Sequence, residues 1–162
     1  MPPVTLVPGD VLLYRGKGFF SSLIKLKTMS RISHAEIYIG NSTTWTSRDG
    51  KGSNFYPLTY TTLDTVMRPI PGEVPDLIKS IAWAEKYCGR PYDFKGLMAF
   101  SFLRQKAYTQ EKFFCSEAVV RFCREGGAEI FNAKFRADDV FPGMLLTSPH
   151  LDMVWTKDPE NA

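Results

Sequence analysis

The alternation of apolar and polar residues divides this chain into a strand-rich first half, a helical middle and one closing strand. After the turn Pro8-Gly9-Asp10, Val11-Leu12-Leu13-Tyr14 predicts a short strand. Ser33 to Gly40 alternates throughout. Ser33, Ala35, Ile37 and Ile39 fall on one face and His34, Glu36 and Tyr38 on the other, with Gly40-Asn41 as the stop. Residues 43–47 are rich in β formers and come after the turn signal Asn41-Ser42, which predicts a hairpin. Residues 48–54 read as a loop. Phe55-Tyr56-Pro57-Leu58 and the run from Asp64 to Ile70 predict two more strands, with Pro57 and Pro69 favouring edges or ends.

The period changes after Pro71-Gly72. Asp76 is placed to cap a helix from about Leu77 to Cys88, in which Leu77, Ile81, Ala84 and Cys88 recur at helical spacing before Gly89. Cys88 is therefore expected to be buried, at the end of a helix that does not activate a thiol. Residues 19–25 and 95–103 predict a short and a very apolar helix. Residues 90–94 predict a compact turn in which Asp93 can cap the second of these helices. From Cys115 onward, Ala118, Val119, Phe122 and Cys123 form one apolar stripe, with Glu117, Arg121 and Arg124 off it and Gly126-Gly127 as the stop. Residues 135–143 read as turn and short helix, and 151–155 as a last strand. Strands and helices are segregated, which predicts an α+β domain and not a repeating βαβ unit.

Composition adds limits. A chain of 162 residues, 44% of them apolar, is long enough for one domain, residues 1–162, with a core of its own. A formal charge of +3 with scattered basic residues speaks against a nucleic-acid partner. Lys17, Lys25, Lys27 and Arg31 make only a loose surface patch. Three cysteines without a C-x-x-C pair give no disulfide scaffold, and Cys115 and Cys123 are too far apart to bridge within one helix. The first residues lack a secretion signal and no apolar run approaches a membrane span, so the expected location on synthesis is the cytoplasm, with lysis or a dedicated secretion system as routes out. No H-E-x-x-H or zinc-type cysteine spacing occurs, so neither a metal nor a cofactor is expected. Gly50-Lys51-Gly52-Ser53 lacks the spacing of a phosphate-binding loop. Ser22-x-x-Lys25 matches a serine–lysine dyad without its companion elements.

The chemistry gathers at Cys115. At the first turn of a helix, backbone N–H groups favour negative charge on sulfur, and a nucleophilic thiol also needs a base. There are two histidines, and His150, in Ser148-Pro149-His150, reads as surface or loop. His34 lies on a strand whose face also carries Glu36 and Tyr38. A cysteine at a helix start facing a strand-borne histidine is the arrangement by which papain-like enzymes activate sulfur.

In chain order, Pro8-Gly9-Asp10-Val11-Leu12, the His34 strand, Gly89-Arg90-Pro91-Tyr92-Asp93-Phe94, Phe114-Cys115-Ser116-Glu117 and Val140-Phe141-Pro142-Gly143 together resemble the circularly permuted papain-like hydrolases related to NlpC/P60, in particular the YiiX/YaeF-like group. The histidine-before-cysteine order is that of the permuted branch. The resemblance spans about residues 6–156. It implies an antiparallel sheet or partial barrel packed against helices, with Cys115 as nucleophile, His34 as base and Tyr92 as a donor to the oxyanion. Such enzymes usually carry a third polar residue on the strand after the histidine. Here that strand offers only Thr44 or Thr46, according to register, and Glu36 is the charged alternative.

The implied activity is a cysteine peptidase or amidase acting through a thioester on a small peptide or amino-acid conjugate, with a cell-wall peptide among the candidates. An ester or lipid hydrolase or acyltransferase on the same fold, and a binding protein that keeps the groove without the chemistry, are the alternatives.

Overall fold

The computed structural model describes residues 4–16, 30–92 and 113–157. Six strands form one antiparallel sheet: β1 (Val11–Tyr14), β2 (His34–Gly40), β3 (Thr43–Arg48), β4 (Gly52–Pro57), β5 (Leu63–Pro69) and β6 (Leu151–Thr156). Their order is β4-β3-β2-β1-β5-β6. All four residues of β1 are buried, as its place inside the sheet requires. Val11 and Leu13 join the cluster on the helical side, while Leu12 and Tyr14 join a second cluster on the other face with Leu63 and Val66. This two-sided burial explains why Val11-Leu12-Leu13-Tyr14 is uniformly apolar where β2 alternates.

Two helices, α1 (Leu77–Lys86) and α2 (Cys115–Glu125), and two 3-10 turns (Ala137–Asp139 and Pro142–Thr147) complete the described elements. Val119, Val120, Phe122 and Cys123 of α2 share a core with Leu13, Ile37 and Trp45 of the sheet. The expected α+β architecture, an antiparallel sheet packed against helices, is what the chain adopts.

Local chemistry accounts for the connections. Asn41 and Ser42 take φ of 48° and 53°, the left-handed pair that a tight hairpin between β2 and β3 requires. Asp76 caps α1 by accepting from the N–H groups of Ile78 and Lys79 at 3.1 and 3.2 Å. Asp10, fully buried at the turn before β1, is held by Arg68 Nε and Nη2, each at 2.8 Å, and by the Val7 N–H at 2.9 Å.

Several expectations change. β4 begins at Gly52 and not at Phe55, so the loop shrinks to residues 49–51. The strand start is set by partners distant in sequence: Ser53 N–H donates to Arg90 O, and Gly89 N–H donates to Ser53 O, both at 2.8 Å. Gly89 and Arg90 thus lie beside the start of β4, and the rest of the compact turn expected at residues 90–94 extends outside the described residues. Gly52 sits at φ 75°, and a Cβ there would lie 2.2 Å from Arg90 O. Gly52→Ala is therefore expected to cost about 1–3 kcal/mol of stability, read by denaturant unfolding.

α1 stops at Lys86 with Tyr87 as its C-cap. Trp83 and Tyr87 take the inward positions against Phe113, at ring separations of 5.8 and 5.2 Å. Cys88 is left exposed, contrary to the expected buried position. Glu117 is buried although it lies off the apolar stripe, because α1, the sheet and the first 3-10 turn all pack around α2. Arg121 Nε and Nη2 donate to Glu117 Oε1 at 3.1 and 2.9 Å. The helices expected at 19–25 and 95–103, the Ser22–Lys25 pair, Asp93 and the three lysines of the basic patch lie outside the described residues.

Candidate active site

The site is built at the end of β2 that begins with His34. Strand geometry puts His34 and Glu36 on one face, and β1 lies beside them with Tyr14 opposite His34 and Leu12 opposite Glu36. His34 Nε2 and Glu36 Oε1 are 2.9 Å apart. With the carboxylate as acceptor, Nε2 carries the hydrogen, which leaves Nδ1 for another partner. The Cys115 thiol lies near enough to this imidazole to raise its basicity through charge and hydrogen bonding.

Glu36 is buried, yet its carboxylate is well supplied with donors besides His34. Thr44 Oγ1 donates to Oε2 at 2.8 Å, and Tyr14 OH donates to the same oxygen at 3.4 Å. Arg48 Nε and Nη2 donate to Oε1 at 2.9 and 2.6 Å. Burial by itself would raise the Glu36 carboxyl; the hydrogen bond and charge of His34, the charge of Arg48 and the Thr44 hydroxyl outweigh it and lower it to about 2. Burial and the Glu36 charge push the Tyr14 phenol far up, so it acts as a neutral donor.

His34 responds in the opposite sense. Burial disfavours its imidazolium, but the charge and hydrogen bond of Cys115, with Glu36 behind the ring, raise it to about 9. The ring keeps 23% of its side-chain surface exposed, toward the pocket, and lies 5.9 Å from the Tyr14 ring.

Cys115 is the first residue of α2, preceded by the extended Phe114, whose side chain caps nothing. The first intrahelical bond runs from Ala118 N–H to Phe114 O, so the N–H groups of residues 115–117 precede the ladder. Flanking contacts hold this helix start in place. Ser116 Oγ donates to Val140 O at 2.6 Å, and Phe114 stacks on Phe141 at 5.9 Å. Cys115 itself is only 1% exposed.

A pocket of about 320 Å³ opens beside His34, with Tyr14, Ser33, Glu36, Arg48 and Tyr92 among its walls. That volume suits a small-molecule or short-peptide group. Tyr92 forms a parallel bridge with Phe113, two residues before Cys115.

The geometry thus brings together Cys115, His34, Glu36 and Tyr92. Thr46 is not part of the group, because its hydroxyl donates to Ala35 O at 2.7 Å. Thr44 bonds to Glu36. Sequence reasoning missed Tyr14 and Arg48. The signal for Arg48 was the alternation Thr44-Thr46-Arg48, which continues β3 one residue past the expected end. His150 stands apart, with Nδ1 3.2 Å from Glu73. Of the other thiols, Cys123 is in the core, where burial and then Glu129 push it up, and Cys88 is raised by desolvation and Glu85.

No protein-family model matches this sequence, and no curated protein matches it. Among solved structures, the crystal structure of the metalloprotein YiiX from Escherichia coli O157:H7, DUF1105, aligns with a TM-score of 0.66 at 20% identity, over 93% of this chain and 97% of that one. The two chains share one fold. At that identity the likeness concerns architecture: the antiparallel sheet packed against helices, maintained through nearly the whole of both chains. The metal belongs to the description of YiiX. Here, among the described residues, no group of three or more His, Cys, Asp and Glu side chains is disposed to hold an ion. Glu36 fits a metal poorly, since Arg48, His34, Thr44 and Tyr14 already occupy both its oxygens. No helix among the described residues is long and apolar enough to cross a membrane.

Proposed function

We propose that this protein is a cysteine hydrolase that cleaves an amide, in a peptide or amino-acid conjugate, through a thioester on Cys115. The observation that carries the reading is the position of His34, whose Nε2 meets Glu36 Oε1 at 2.9 Å and whose ring is raised by the neighbouring Cys115 thiol. This is a nucleophile, a base and an orienting carboxylate in series.

His34 Nδ1 accepts the thiol proton, and the sulfur attacks the carbonyl carbon. The negative oxygen that forms is met by the N–H groups at the start of α2 and by the Tyr92 hydroxyl. Collapse breaks the C–N bond as the imidazolium gives its proton to the leaving amine. Neutral His34 then takes a proton from water, whose oxygen attacks the thioester. The carboxylic acid leaves and the thiol is restored. The pocket beside His34 holds the acyl or the amine side of the substrate, and a peptidoglycan-derived peptide is within its size.

The first half-reaction needs His34 protonated when the amine leaves. Turnover should therefore fall as pH rises through about 9, the value at which His34 loses its proton. The test is incubation with a panel of peptidoglycan-derived peptides and p-nitrophenyl acyl esters, with intact-protein mass spectrometry as the readout. An acyl adduct that maps to Cys115 and is absent in Cys115→Ala supports the reading. Turnover that survives Cys115→Ala, or an adduct on another residue, sinks it. Esters that turn over while every amide fails would move the substrate to the ester class on the same nucleophile.

A further inference from the structure

The proposed mechanism leaves Arg48 without a role, yet Arg48 makes the shortest contact to the orienting carboxylate. Its guanidinium and the His34 ring converge on one atom. Glu36 Oε1 receives His34 Nε2 at 2.9 Å, Arg48 Nε at 2.9 Å and Arg48 Nη2 at 2.6 Å. We propose that Arg48 is a positioning residue of this site: it locks the Glu36 carboxylate in place, and its charge restrains the basicity of His34. The proposal rests on the reading of Cys115 and His34 as the reacting pair.

Charge counting gives the physical reason. In the reactive state Cys115 is negative, His34 positive, Glu36 negative and Arg48 positive, an alternating row with no net charge. Without Arg48 the row carries one net negative charge beside a carboxylate that is 1% exposed, where charge is weakly screened. An imidazolium would then be held more tightly by Glu36 alone. A histidine that is too basic releases its proton slowly to the leaving amine and is seldom neutral when water must be activated, so an upper bound on its basicity matters for both half-reactions.

Arg48 is well placed to do this because its own position is fixed. It ends β3 opposite Gly52, and its guanidinium lies over the Tyr56 ring, 4.2 Å from the centroid. Tyr56 is tied down in turn by donating its hydroxyl to Gly52 O at 2.8 Å. Among the described residues, the other ionisable groups around the row are Tyr14 from β1, Tyr56 from β4, and Tyr60, Asp49 and Cys88 from the segments beyond the strands. The phenols of Tyr14 and Tyr56 are both shifted upward by burial, and among the described residues Arg48 is the cation bonded to Glu36 besides His34 itself.

With only two histidines in the chain, ring NMR titration reads His34 directly and His150 serves as an internal control. The comparison is wild type, Arg48→Gln and Arg48→Lys. In Arg48→Gln the His34 midpoint is expected to rise by about one pH unit, roughly a tenfold tighter proton, with His150 unmoved. Arg48→Lys keeps the charge and loses the fork, so its midpoint stays near that of the wild type while turnover drops. A folded Arg48→Gln with an unmoved His34 midpoint overturns the proposal. If Arg48→Gln does not fold, Arg48→Lys decides: a midpoint that rises by about a unit despite the retained charge overturns it as well. A wild-type His34 that titrates at the ordinary value and ignores Cys115→Ala would instead bring down the parent reading of the thiol–imidazole pair.

Discussion

Cys115→Ser is expected to leave the fold intact and to lower turnover on the order of 10⁴-fold or more. Serine nearly matches cysteine in shape, and the contacts that fix the start of α2 belong to Phe114, Ser116 and Phe141, not to the sulfur. The substitution removes the proposed nucleophile, a sulfur that can hold negative charge beside an imidazolium. Cys115→Ala makes a companion result visible without any substrate. The Cys115 charge and hydrogen bond are the leading causes that raise His34, so their loss should bring its midpoint down from about 9 toward the ordinary 6.5. Circular dichroism and unfolding curves report the fold, and kcat reports the chemistry. A Cys115→Ser protein with wild-type turnover would contradict the assignment.

The second large effect belongs to Glu36. Glu36→Ala strands the Arg48 guanidinium and the Tyr14 hydroxyl around an empty space on the sheet. Breaking one side of a buried ion pair typically costs about 3–5 kcal/mol, so this variant should be markedly destabilised as well as inactive. Glu36→Gln separates the two consequences. It keeps the shape and an acceptor for His34 Nε2 and removes the charge. We expect it to fold, to lose only part of the stability lost in Glu36→Ala, and to show a lower His34 midpoint, since Glu36 is one of the groups that raise it. Equal stability for Glu36→Ala and wild type in chemical denaturation would contradict the role given to this carboxylate.

The range of the forces involved decides which parts of the site are legible in the sequence. His34 and Glu36 are legible because a period of two places them on one face whatever the rest of the chain does. Cys115 is legible because an apolar stripe at helical spacing begins there, and Gly126-Gly127 ends the helix with a left-handed glycine. Arg48 reads as loop because Asp49-Gly50 dominates the local pattern, while the force that extends β3 to Arg48 is pairing with Gly52 across the hairpin. The start of β4 is hidden for the same reason: Gly52 and Ser53 look like loop until Arg90 and Gly89 pack and bond against them. Helical spacing misplaces Cys88 because it does not say which residue wins the last inward position, and the larger Trp83 and Tyr87 take it against Phe113. The choice between Thr44, Thr46 and Glu36 beside the histidine depends on side-chain direction, which the pattern leaves open. Thr46 turns to the Ala35 carbonyl, and Thr44 supports Glu36.

The three cysteines allow one measurement that bears directly on the central claim, the rate of iodoacetamide alkylation at each site at neutral pH, resolved by peptide mass spectrometry in wild type and His34→Ala. Access alone would rank the exposed Cys88 first and leave the buried Cys115 and Cys123 slow. An imidazole-paired nucleophile inverts the first two: Cys115 reacts faster than Cys88 in the wild type and loses that lead in His34→Ala, while Cys123 stays inert in both. If Cys88 reacts fastest in both proteins and Cys115 is indifferent to His34, the thiol is a packed core residue and the hydrolase reading fails.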